Sequence, residues 1–161
     1  MTAANRSQFV YVTFIRTPPA KLWEALTGPQ FIRQYWFNTT VECAWKVGSP
    51  WKMARADGSL TDSGEIMEID PPRRLVIRWL NEWSAELKAE GTSRCTMELE
   101  PVDNAVKLTI THEMERPGSK FITAVSGGWP RILSNLKSLL ETGAIAITSH
   151  PGHEASAKRA S

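Results

Sequence analysis

His112 is the polar side chain best placed to do chemistry in this sequence. It stands between Ile110 and Met114 in a stretch where Val106, Leu108, Ile110, His112 and Met114 alternate with Lys107, Thr109 and Thr111. A period of two puts the first set on one face of a strand, so the imidazole shares an apolar face. An imidazole there can orient a ligand or move a proton. A histidine in such company is, however, more often a hydrogen-bonded core residue than a catalyst. Acid–base catalysis needs a second positioned polar group. Glu68 shares the side of Gly64 and Ile66 unless a bulge before Asp70 turns it out, and Arg55 follows Trp51 and Met53 in register. Glu113 has the opposite register and is expected to face solvent.

Other chemistries are poorly served. Ser126-Gly127-Gly128 lacks the preceding glycine of a nucleophile elbow, and no Ser-His-acid or Cys-His set can be placed. No glycine-rich loop suited to phosphate occurs. His150 and His153 lack carboxylate or thiolate company, so they read as solvated tail rather than metal ligands. The expectation is a protein that is not a robust enzyme and needs no cofactor or metal.

A second set of residues points to binding. The inward candidates are Trp36, Phe37, Trp45, Trp51, Met53, Trp79, His112, Met114, Phe121 and Trp129. Large rings bury much area but leave irregular gaps, and methionine adapts to variable shapes. Such a set either fills a core or lines a cleft for a flat apolar molecule. The expected ligand lining is Trp36, Trp51, Met53, Trp79, His112, Met114 and Trp129, and the expected partner is a small apolar or aromatic molecule.

The chain must supply elements to hold these residues. Its 161 residues suit one domain, and its 19 basic and 17 acidic side chains are mixed, with no run of five like charges. No nucleic-acid footprint or polybasic membrane anchor is therefore expected. No 18-residue apolar stretch and no signal-peptide pattern is visible, so no membrane span and a cytoplasmic location are expected. Cys43 and Cys95 lack metal-site spacing and read as reduced, buried small residues.

Phe9 to Ile15 reads as a strand, closed by Pro18-Pro19 with Thr17 as the N-cap of a first helix bearing Leu22, Trp23 and Leu26. A second short helix is expected from Pro29 to Tyr35. Strands follow around Val41–Trp45, Trp51–Arg55, Gly64–Ile69, Leu75–Leu80, Thr96–Glu100 and Val106–Met114, with Asn81 to Gly91 a long loop containing at most a helical turn. Trp129, Ile132, Leu133, Leu136, Leu139 and Leu140 form the apolar stripe of a long helix expected near Thr123 to Thr142. The sum is an α+β domain over residues 8–143, a curved antiparallel sheet of six or seven strands gripping a C-terminal helix. Residues 144–161 are expected to be a flexible tail.

Three segments in this order carry a resemblance. Thr17-Pro18-Pro19-Ala20-Lys21-Leu22-Trp23-Glu24-Ala25-Leu26-Thr27 resembles a family entry helix, Gly64 to Leu75 a strand–turn–strand around Pro71-Pro72, and Gly128-Trp129-Pro130-Arg131-Ile132-Leu133 the terminal helix. Together they resemble bacterial relatives of the C-terminal domain of the heat-shock protein 90 ATPase activator, in the START-like (Bet-v-allergen-like, SRPBCC) helix-grip superfamily. The resemblance implies the helix-grip fold. It also implies a cavity between sheet and helix, whose users in the superfamily range from lipid carriers to cyclases and co-chaperone domains. A homodimer and a chaperone are the protein partners it leaves open. The chaperone ranks second to the small molecule, because 161 residues leave no room for the eukaryotic activator's separate N-terminal domain, and a cyclase- or hydrolase-type enzyme using the same cavity is the further alternative.

Overall fold

The computed structural model describes residues 5–148. Alternation of apolar and polar residues produces a seven-stranded antiparallel sheet in the order β1-β7-β6-β5-β4-β3-β2. Its strands are β1 (Ser7–Ile15), β2 (Thr40–Cys43), β3 (Pro50–Ala54), β4 (Leu60–Asp70), β5 (Arg74–Asn81), β6 (Ser93–Val102) and β7 (Ala105–Met114). The helices are α1 (Pro19–Thr27), α2 (Pro29–Tyr35), α3 (Ala85–Ala89) and α4 (Lys120–Thr142). The chain order brings the first strand back beside the last, so α1 and α2 form the crossing between the two sheet edges. This is the expected α+β helix-grip architecture, with two short helices after the first strand.

The inner face of the sheet is apolar and α4 lies across it. Ile66, Leu75, Ile77, Leu108 and Ile110 from the sheet and Ile132, Leu133 and Leu136 from α4 are buried together. Tyr35 of α2 is buried too, its hydroxyl donating to the Ala25 carbonyl of α1 at 2.9 Å. This bond ties the two short helices to each other without leaving a buried phenol unpaired.

Several boundaries differ from the sequence expectation. α4 begins at Lys120 rather than near Thr123 because Ser119 caps it, accepting from Ile122 N. Glu90 reinforces that end: one of its oxygens accepts from Ser119 Oγ at 2.6 Å and the other from Lys120 N at 2.9 Å. The helix then runs unbroken through Gly127, Gly128 and Pro130. Thr17 is buried but does not cap α1, whose N-cap is Pro18. Asn81 to Gly91 contains α3, capped by the Ser84 hydroxyl. β2 ends at Cys43, leaving Trp45 in the following loop with φ of 55°.

Beyond α4 the chain folds back. Asn135 is 0% exposed, and its Oδ1 accepts from Ala146 N at 3.1 Å and Ile147 N at 2.7 Å. Its Nδ2 donates to the Ile147 carbonyl at 2.8 Å. Residues 144–147 are thereby held against α4. His150 and His153 lie outside the described residues.

Candidate functional site

Five of the residues singled out in the sequence, Trp36, Trp51, Trp79, His112 and Trp129, meet on the inner face beneath α4. Trp51, Gly64, Trp79 and Ser93 stand in one row across β3, β4, β5 and β6. Gly64 matters because a Cβ there would sit 1.7 Å from the Arg78 carbonyl oxygen, so no side chain fits between the two tryptophans. Trp51 and Trp79 meet across that lane with ring centroids 4.4 Å apart. Trp79 also lies 6.1 Å from Trp36 and 5.9 Å from Trp129, while Trp36 and Trp129 meet edge to face at 5.2 Å. Trp36 is half-buried and follows α2, so the ring layer reaches from the interior to the rim.

His112 is wholly buried within this layer, 5.1 Å from Trp79 and 5.2 Å from Phe121 by ring centroid. Its tautomer follows from its partners. The Trp129 indole can only donate, so Nδ1, 3.1 Å away, must accept. Nε2 then carries the proton and donates to Ser93 Oγ at 2.8 Å, and Ser93 Oγ donates onward to the Trp79 carbonyl at 3.4 Å. Burial pushes the imidazole down to about 3, so it is neutral at physiological pH. With both nitrogens engaged and no charge to give, His112 acts as a strut between α4 and the sheet.

Asp62 is the inward carboxylate that sequence reading missed. β4 begins at Leu60, so the row Val41, Met53, Asp62 and Asn81 lies beside the tryptophan row. The Trp79 indole donates to Asp62 Oδ1 at 2.8 Å. Burial pushes the carboxyl up to about 6, against the hydrogen bond from Trp79 that lowers it. The alternation of Asp62, Gly64 and Ile66 was the available signal, hidden by the polar run Thr61-Asp62-Ser63.

The other expected residues separate. Met53 is buried beside Asp62, whereas Met114 lies two positions beyond His112 along β7, its sulfur 3.2 Å from Ser119 Oγ at the foot of α4. Glu68 faces out: Met67 bulges β4 between Ile66 and Glu68, and Glu68 pairs with Arg94 at 2.9 Å and Arg74 at 3.5 Å. Arg55 is exposed in the turn after β3. Glu113 pairs with Arg6. Cys95 is buried and Cys43 half-buried, both unbridged. Among the described residues, no three His, Cys, Asp or Glu side chains gather as a metal site requires.

Two concavities lie elsewhere. One of about 490 Å³ runs over the outer face by Arg74, Glu98 and Lys107, and one of about 340 Å³ lies by Phe14, Arg16 and Val102. Neither is lined by the tryptophan layer. Among the described residues, no helix is long and apolar enough to cross a membrane.

A curved antiparallel sheet closed by one long helix, with its aromatic layer between them, defines a helix-grip domain. The chain belongs to the Activator of Hsp90 ATPase homolog 1-like protein family, whose model matches residues 16–141. Solved structures share the fold. A protein from Mesorhizobium loti is 24% identical with TM-score 0.72, covering 84% of this chain and 97% of that one. The Aha1 dimer from Colwellia psychrerythraea is 22% identical with TM-score 0.69, covering 85% and 98%. An HSP90 activator from Plasmodium falciparum is 24% identical with TM-score 0.65, covering 83% and 95%. No curated protein matches this chain.

Proposed function

We propose that this protein binds a flat apolar molecule between the inner face of its sheet and α4, without catalysing its conversion. The observation that carries this reading is the tryptophan layer, continuous from half-buried Trp36 to Trp51, Trp79 and Trp129. The indole N–H groups of Trp79 and Trp129 are already spent on Asp62 and His112, so a ligand entering the layer would meet ring faces that otherwise pack on one another. Entry requires the layer to part. The first half of α4 is suited to that, because Gly127 and Gly128 each cost about 1 kcal/mol of helix propensity and Pro130 removes a backbone donor. Phe37 and Asn38, next to Trp36, hold φ values of 48° and 61°, a conformation that non-glycine residues adopt where surrounding structure imposes it. The neutral, fully engaged His112 supports binding over catalysis.

Tryptophan emission during titration with a panel of flat apolar compounds tests the proposal. A saturable change in the parent that is weakened in Trp36→Ala is expected. No saturable change with any compound defeats it.

A second reading, a chaperone-interaction module, draws on the family and on β1. Val10 and Phe14 are 50% and 49% exposed on the outward side of this edge strand, with Val12 between them. Under it, an Hsp90 chaperone is recovered in pull-down by the parent and lost in a Val10→Lys, Phe14→Lys double variant.

A further inference from the structure

We infer that the molecule taken up beneath α4 carries a positive charge beside its flat apolar body, with Asp62 as the counter-ion. This rests on the binding reading above and adds the chemical class of the ligand. Asp62 points from β4 into the same interior as the tryptophan layer, its Oδ1 fixed 2.8 Å from Trp79 Nε1. The other half-buried carboxylates have their charge met: Glu65 by Arg78 at 3.0 Å, Glu82 by Lys88 at 2.7 Å, Glu113 by Arg6, and Glu90 by the first backbone amides of α4. Asp62 differs. Among the described residues, no basic side chain lies within the 4.0 Å of an ion pair, and the charges that act on it from further away, Arg55 and Glu82, oppose each other.

A half-buried anion without a cation is costly to keep, and its group here remains ionised at neutral pH, since its carboxyl titrates at about 6. Two indoles supply the complement, Trp79 bonded to Asp62 and Trp51 packed on Trp79. The faces of Trp79 and Trp51 attract a cation through the ring quadrupole, and more strongly where water is excluded. Carboxylate and indole faces together select an organic ammonium over a neutral molecule of the same shape. A neutral aromatic ligand would leave the carboxylate unmatched.

The test compares naphthylmethylamine with naphthylmethanol, which share a frame and differ in charge, by tryptophan emission well above the carboxyl's titration. The parent should bind the amine about tenfold or more tightly than the alcohol. Asp62→Asn keeps an oxygen for the Trp79 indole. It should abolish the preference, bringing the amine and the alcohol to equal affinity. Asp62→Glu, a second variant that keeps the charge, should retain the preference for the amine. Equal affinities in the parent, or a preference that survives Asp62→Asn, overturn the inference while leaving the binding reading intact. Failure of both probes while neutral compounds of the panel bind overturns the inference alone, and failure of every compound removes both.

Discussion

Asp62 and Glu68 are carboxylates six residues apart on one strand, and the fold gives them opposite surroundings. Asp62 faces the tryptophan layer, takes a hydrogen bond from an indole, and is pushed up to about 6 by burial. Glu68 lies on the outer face among arginines, in a surface ladder with Arg74 and Arg94. The extra residue between them, Met67, reverses the side on which every later side chain of β4 emerges. A single inserted residue thus decides whether an acid on this strand faces the interior or the solvated ladder.

Filling the lane on the inner side should be the most damaging change. Gly64→Val should cost on the order of 3 kcal/mol or prevent folding, since even a Cβ collides with the Arg78 carbonyl. Chemical denaturation measures it, and a variant as stable as the parent would show that the Trp51–Trp79 meeting does not depend on the empty position.

The second test separates two inward-facing groups by pH. His112 is lowered from 6.5 to about 3, so its contribution is present above 6.5 and is lost as pH falls toward 3. Asp62 is raised from 3.8 to about 6, so its contribution is present below 3.8 and is lost as pH rises toward 6. Between pH 3.8 and 6 the two slopes oppose each other, and stability should be nearly flat as far as these groups are concerned. Asp62→Asn should unmask a rise with pH of roughly 1 kcal/mol per unit in that window. An unchanged profile in the variant would mean that Asp62 titrates as an exposed acid does.

Trp79→Phe removes the indole donor from Asp62, and a loss of about 2 kcal/mol is expected from denaturation at neutral pH. Glu68→Gln touches only the exposed ladder and should change stability by less than about 1 kcal/mol. A loss at Glu68 that matched the loss at Trp79 would erase the contrast between the two faces.

Much of this arrangement was legible in the sequence because it rests on periodicity. The alternation through Val106, Ile110 and His112 and the stripe through Trp129, Ile132, Leu133 and Leu136 fixed which side chains are buried together. The interior tryptophans followed from the same rule. Polar partners did not, because hydrogen bonds across strands depend on register rather than on period. Ser93 beneath His112 and Glu90 at the start of α4 come from segments with no local signal for those roles. The Met67 bulge carries no glycine or proline to mark it, so the outward turn of Glu68 could be named as an alternative but not chosen. Asn135 sits within an apolar stripe, where its grip on residues 146 and 147 is invisible until the chain turns back.

The packing of the interior indoles also has an optical consequence. Rings 4.4 to 6.1 Å apart share excitation, so Trp36, Trp51, Trp79 and Trp129 should behave as one chromophore with a coupled near-ultraviolet circular dichroism band. Trp83, 53% exposed before α3, stands apart and should emit to the red and yield to aqueous quenchers. The protein thus carries an internal reference beside its reporter: a change in the coupled band with Trp83 emission unmoved marks an event beneath α4 rather than a change in the solvent.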